Sequence, residues 1–307
     1  MVLKKETKLT RRGLLAGTLA GLGAGLCADD ARAAKQHITK ARVAVITDEV
    51  ARTQTDALAF AKQYGLQWVE LRTVPETKKE FAFLSDPELK RYAAELTASK
   101  VKVSLLKTSL LKFPWPESGA GETDQKRWER RKEDFARAIN AAQILGTDRI
   151  RIFTGARVAQ PSTAYPLIAR TLEEFIPAAE SARVRLVIEN EPTQNIGTSA
   201  ELKTILDLLP SKAIGFNWDP QNAIALHETA WPDGYASLPK ARMMNVQVKA
   251  EGLAGGPDQI KWRTVLETLQ KDGYAGQVSL ATEVFDGTFD KANDAIRDLL
   301  HFVGELS

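Results

Sequence analysis

The chain has one cysteine and three histidines in 307 residues. Cys27 falls in an N-terminal segment expected to be removed, which leaves no disulfide framework and no thiol chemistry. His37, His227 and His301 lie outside the inward strand pattern described below, and none is given a role. A surplus of charge of one sign is also missing. The whole chain carries 42 Lys+Arg against 39 Asp+Glu. Residues 1–33 hold six basic and three acidic residues, so the remainder has 36 of each. Zero net charge removes the basic excess that nucleic acid or an anionic membrane selects, and no nucleic-acid partner is expected. The first turn lacks a Gly-rich phosphate loop, which argues against an open doubly wound sheet. Internal repeats and linkers are lacking as well, so residues 34–307 read as one domain.

The first thing present is an export segment. Lys4, Lys5, Lys8, Arg11 and Arg12 form a basic start, an apolar run from Gly13 to Ala28 follows, and Ala31-Arg32-Ala33 has the small-x-small pattern of a cleavage site. The Arg11-Arg12 pair before the apolar run resembles a twin-arginine export signal. The run is too short and too rich in Gly and Ala for a membrane span. Residues 1–33 are therefore expected to be cleaved, giving a periplasmic protein with no stable membrane association.

From Arg42 onward, strand-like and helix-like stretches alternate. The pattern predicts strands at Val43–Thr47, Trp68–Arg72, Val101–Lys107, Arg149–Thr154, Val184–Asn190, Ile214–Asp219, Met244–Lys249 and Val278–Val284. Amphipathic segments between them include Asp56–Tyr64, Asp86–Ser99, Lys126–Leu145, Tyr165–Ser181, Ser199–Leu209 and Ile260–Lys271, with Phe289–Leu306 closing the chain. Gly65, Gly146 and Gly273 stand where helices should stop. Eight βα units in this length predict a single (β/α)₈ TIM barrel, an α/β fold.

In such a barrel alternate strand side chains face the lumen, and the active site lies at the C-terminal strand ends. Strand 7 then turns Asn245, Gln247 and Lys249 inward. Strands 5, 6 and 8 end in Glu189, Asp219 and Glu283. Four consecutive strands thus aim Glu189, Asp219, Gln247 and Glu283 at one mouth. Converging carboxylates repel one another, and a divalent cation removes that cost. An all-oxygen donor set favours Mg²⁺ or Mn²⁺ over structural zinc. The competing arrangement pairs the same residues with Arg72, Arg151 or Lys249 as a buried ionic network. Long Gly- and Pro-rich connections (113–121, 193–197, 220–239 and 251–257) lie on the same side and mark a functional face. Trp115 and Trp231 are candidates to wall a sugar-sized pocket. Lys112, Arg151 and Arg157 are candidates to bind substrate oxygens.

With these residues in hand, the chain resembles the xylose isomerase-like TIM-barrel superfamily, the sugar phosphate isomerases/epimerases. The resemblance rests on Trp68-Val-Glu-Leu-Arg72, Val187-Ile-Glu-Asn190, Trp218-Asp-Pro-Gln-Asn222, Val246-Gln-Val-Lys249 and Glu283. It implies one divalent ion, Mn²⁺ or Mg²⁺, on Glu189, Asp219, Gln247 and Glu283, with Gln247 where many epimerases have His. It implies a substrate-binding role for Asn222, where many members have His. The expected chemistry is proton abstraction next to a carbonyl through an enediolate, by Glu189 and Glu283, with Lys249 stabilising the negative charge. The expected partner is a small sugar or keto-sugar. The alternatives are a periplasmic 3-keto-sugar or keto-glycoside lyase and a non-catalytic carbohydrate-binding barrel.

Overall fold

A computed structural model of the chain describes residues 37–253, 260–283 and 289–304. The expected export segment, residues 254–257 of the expected rim and the strand end at Val284 lie outside them. Eight parallel strands close into one barrel in sequence order. They are β1 (Val43–Ile46), β2 (Trp68–Leu71), β3 (Lys102–Lys107), β4 (Arg149–Ile152), β5 (Arg185–Glu189), β6 (Ile214–Trp218), β7 (Met243–Lys249) and β8 (Gln277–Ala281). β8 pairs back onto β1 through Val278–Val43, Ser279–Ala44 and Leu280–Val45, so no strand edge is left open. The TIM-barrel expectation holds; β3 and β7 end where the sequence pattern placed them, and the other six strands end one to three residues earlier.

Two expected helices are each split in two. Glu122–Glu129 and Arg131–Leu145 stand where one helix was expected, and so do Tyr165–Glu173 and Ile176–Ala182. In the second case Pro177 supplies the break, because it has no N–H to continue the ladder and sits in the first turn of the new helix. Gly146 caps Arg131–Leu145 in the left-handed conformation at φ 75°, as expected for a helix stop.

The apolar core lies between strands and helices, where Val69, Leu106, Ile150, Ile188, Phe216, Val246 and Leu280 are buried among helix residues such as Leu89, Phe135 and Leu202. Burying these side chains contributes about 1.5–3 kcal/mol each. Inside the barrel the apolar content is small: Leu105, Val187 and Met244 form a separate cluster. Gly215 makes room for this layer, since a Cβ there would stand 2.5 Å from both the Arg242 carbonyl and the Met244 methyl.

Two register shifts aim residues into the lumen. Val69 pairs with Val103 but Glu70 pairs with Leu105, so Ser104 is an extra residue on β3, and its hydroxyl bonds the Val69 carbonyl at 3.1 Å. β7 gains an extra residue at Met244, because Phe216 pairs with Met243 and Asn217 with Asn245. Bulges of this kind re-aim side chains near active sites. Here they let Leu105 and Lys107 face inward while Val103 and Leu106 face the helices.

Candidate active site

The C-terminal strand ends surround a cavity of about 300 Å³, the lower end of the range for small-molecule sites. Every strand contributes through its last residues or the turn after it, and the lining is dominated by charged groups. They fall into two layers, each organised around a lysine.

The deeper layer is built on Lys107, at the end of β3. Its ammonium is 2.5 Å from Gln247 Oε1, 3.3 Å from Glu70 Oε2 and 3.4 Å from Glu189 Oε2. Gln247 accepts its hydrogen bond, and the two carboxylates are its ion-pair partners. Lys107 and Glu70 are both fully enclosed. The layer continues downward, because Asn245 donates to Glu70 at 2.8 Å and to Asn217 at 2.9 Å. The Gln247 amide nitrogen donates to the Ser279 carbonyl at 3.0 Å, which fixes its oxygen toward the lysine. Glu189 also accepts from Arg151 at 2.9 Å. Burial raises the Glu189 pKa, but Lys107 and Arg151 outweigh it and hold the carboxyl well below the usual range. Glu189 is therefore a fixed anion.

The upper layer is built on Lys249, at the end of β7. Its ammonium meets Glu283 Oε1 at 2.7 Å and Asn222 Oδ1 at 2.8 Å, and Asp219 Oδ2 stands 4.0 Å away. Burial lowers its pKa, but Asp219 and Glu283 outweigh that and raise it. Asp219 caps the Pro220–Ile224 turn by accepting the Asn222 N–H on Oδ1, while its buried Oδ2 has no hydrogen-bond partner. Burial pushes this carboxyl up to about 7. Glu283 is different: its side chain is 45% exposed and its backbone is left-handed at φ 52°, an uncommon conformation for a residue with a Cβ. Glu49 holds it there, accepting the N–H of Thr282 at 2.8 Å and of Glu283 at 3.1 Å. Arg72 in turn bonds Glu49 and Asp48, each at 2.8 Å.

The structure brings eight of the nine expected site residues to this cavity, namely Glu189, Glu283, Lys249, Asn222, Arg151, Asp219, Gln247 and, at its edge, Lys112. Asn222 is committed to positioning: its amide donates to the Asn190 carbonyl at 2.8 Å while its oxygen takes Lys249. Arg151 is clamped between Glu189 and the Thr108 carbonyl. Lys112 reaches Glu191 at 3.1 Å and lies over the Phe153 ring. Trp115 is a correction. It is buried in the core, bonds the Leu111 carbonyl and packs on Trp128 and against Gly155, so it does not wall the cavity. Trp231 packs on Tyr235. Arg157 is tied to Glu201 at 2.8 and 3.1 Å. Sequence reasoning missed Lys107, Glu70, Glu49 and Glu191. Glu70 was legible, since Val69 and Leu71 face the helices and leave it inward.

The expected metal-ligand set does not converge on one vacant point. Among the described residues no group of three or more His, Cys, Asp or Glu is placed to hold a metal ion. Gln247 and Glu189 are turned onto Lys107, and Glu283 onto Lys249. Among the four expected ligands, Asp219 offers a buried oxygen, Oδ2, with no hydrogen-bond partner. The donor set as arranged does not fit a divalent ion, and the competing ionic network with Arg151 and Lys249 is the arrangement found.

A fold of this kind with charged groups at the C-terminal strand ends defines a TIM-barrel site, and the family follows from the sequence match. The model of the xylose isomerase-like TIM barrel family matches residues 58–306, and the chain belongs to that family. No curated protein sequence matches the chain. Several solved structures share the fold. A zinc-bound IolI protein has 14% identity and a TM-score of 0.68, over 87% of this chain and 99% of its own. A xylose isomerase-like TIM barrel protein from Mycobacterium smegmatis in complex with magnesium has 16% identity and a TM-score of 0.65, over 89% and 100%. The 3-keto-D-glucoside 4-epimerase of E. coli has 12% identity and a TM-score of 0.67, over 85% and 98%. At these identities the likeness shows the fold alone.

Proposed function

We propose that the protein is an enzyme that removes and returns a proton next to the carbonyl of a small sugar or keto-sugar, as an isomerase or epimerase does. The observation that carries this reading is the upper layer. Two carboxylates, Glu283 and Asp219, flank one ammonium, Lys249, at the mouth of a sugar-sized cavity. Glu283 takes the proton from the carbon beside the carbonyl. The C–H pair becomes the new C=C bond, the carbonyl π pair moves onto oxygen, and Lys249 faces the resulting oxyanion. Asp219, across the same ammonium, returns a proton. Glu189, the other expected base, is clamped by two cations and serves to hold Arg151 and Lys107 in place.

Epimerases among the structural neighbours support this class. A keto-glycoside lyase begins with the same proton removal and differs in expelling a leaving group afterwards. The competing mechanism places Mn²⁺ or Mg²⁺ on Glu189, Asp219, Gln247 and Glu283; the spare Asp219 Oδ2 and the metal-bound relatives favour it. It requires both lysines to withdraw. The twin-arginine segment supports a periplasmic address, which suits an unphosphorylated keto-sugar. Changing Arg11 and Arg12 together to Lys should leave the protein in the cytoplasmic fraction, and unchanged periplasmic protein would sink that address.

The test of function is solvent exchange. A panel of ketoses and 3-keto-glycosides is incubated with the protein in deuterated buffer and followed by NMR for loss of the α-hydrogen. Exchange on at least one member, lost with Glu283→Gln, is the expected result. Tight binding of a sugar with no exchange on any member would make the protein a carbohydrate-binding barrel instead.

A further inference from the structure

The four residues expected to share one divalent ion are divided two and two between ammonium groups. Glu189 and Gln247 turn to Lys107 at 3.4 and 2.5 Å. Asp219 and Glu283 turn to Lys249 at 4.0 and 2.7 Å. Two ammonium groups carry the same total charge as one divalent ion. We propose that Lys107 and Lys249 take the place of the ion, so that this member of the family holds its enediolate with lysine side chains and works without a metal. The proposal rests on reading the mouth as a proton-transfer site.

Three features make the substitution built in. Lys107 is held from below as well as above, since Glu70 is a fully buried carboxylate that lies outside the expected ligand set and supplies a dedicated counter-charge. The bulge at Ser104 sets the β3 register that carries Lys107 inward. Gln247 presents its oxygen because its nitrogen is fixed on the Ser279 carbonyl, and an amide oxygen is an acceptor suited to an ammonium hydrogen. An ion entering this set would need the same lone pairs at metal-ligand distance and would stand beside two positive charges. The ammonium groups do for charge what the ion does elsewhere: Lys107 stands 3.4 Å from the Glu189 carboxylate, and Lys249 faces the developing oxyanion.

The experiment is metal analysis of the full-length protein, produced in medium containing Mn²⁺, Mg²⁺ and Zn²⁺ and purified without chelator. Metal content is measured directly, and melting is followed with added Mn²⁺, with added Mg²⁺ and with EDTA. The wild type is expected to hold far less than one equivalent of any ion and to melt at one temperature in all three conditions, since a ligand that does not bind the native state cannot raise Tm. Lys107→Ala is expected to gain a Mn²⁺-dependent rise in Tm, because it leaves Glu70, Glu189 and Gln247 facing one another without the ammonium between them.

One equivalent of ion in the wild type, lost in Asp219→Asn, overturns the proposal. So does a folded Lys107→Ala that takes up no ion. If Lys107→Ala does not fold, the wild-type metal content and EDTA response decide alone. Exchange of the α-hydrogen is scored separately. A wild type that binds an ion and exchanges removes this inference and keeps the proposed function. One that binds no ion and exchanges nothing removes the function and keeps the inference.

Discussion

Lys107 and Lys249 enter one cavity from opposite arcs of the barrel, β3 and β7, and differ in how completely they are satisfied. Lys107 is 2% exposed, hydrogen-bonds Gln247 and stands within ion-pair distance of two buried carboxylates, Glu70 and Glu189. Lys249 has two close acceptors, a third at 4.0 Å, and a partner in Glu283 that is nearly half exposed. The deep lysine can do nothing except hold the carboxylates around it. The upper lysine retains loose ends: an unbonded Asp219 oxygen, an exposed glutamate and access to solvent. Buried networks that are fully satisfied rigidify. Chemistry needs the groups that are not.

That contrast makes a first, large difference between two otherwise equal substitutions. Lys107→Met leaves Glu70 and Glu189 buried without their shared cation and should cost about 3–5 kcal/mol of stability, the usual effect of breaking a buried pair from one side. Lys249→Met breaks a half-solvated pair and should cost about 1 kcal/mol, while exchange of the substrate α-hydrogen disappears. Urea unfolding of both variants measures this. Equal costs would mean that the two layers are not different in kind.

The carboxylates should divide along the same line. Glu283→Gln should lower the exchange rate by about 10²-fold, the ordinary worth of a positioned base, or about 2.7 kcal/mol of barrier. Glu189→Gln should change it by less than about tenfold, since Glu189 touches the reaction only through Lys107 and Arg151. The reverse order would return Glu189 to the role the sequence first suggested.

Trp115 calibrates both comparisons from outside the cavity. Trp115→Phe removes an indole N–H bonded to the Leu111 carbonyl and part of a ring packed on Trp128. It should cost about 1–2 kcal/mol in unfolding and leave KM for any substrate as it was. A rise in KM without loss of stability would restore Trp115 to the site.

Much of this was legible in the chain. Strand alternation was enough to place Asn245, Gln247 and Lys249 on one face and Glu189, Asp219 and Glu283 at one mouth, because side-chain direction in a strand has period two. What the alternation does not contain is which acceptor a lysine meets across the barrel. Lys107 reads as the polar end of an apolar strand, and its meaning depends on a β-bulge 35 residues from its partner contact at Val69. Trp115 fails for a related reason. An aromatic residue in a Pro- and Gly-rich loop looks like a pocket wall, but here the loop folds back and buries it against Gly155. A local pattern carries direction, and long-range contacts decide occupancy.

The smallest expected effect tests the rim. Lys112 is more than a third exposed, pairs with Glu191 at 3.1 Å and lies 4.6 Å over the Phe153 ring. A pair this exposed contributes about 0–1 kcal/mol, so Lys112→Met should leave the unfolding midpoint almost unchanged. Its place at the cavity edge gives it a different kind of consequence. A group that touches substrate equally in the ground and transition states changes KM and leaves kcat alone. Lys112→Met should therefore raise KM severalfold with kcat unchanged. A fall in kcat with KM constant would place Lys112 with Lys249 in the reacting layer. No change in either would return it to the surface, as a charge that serves only Glu191.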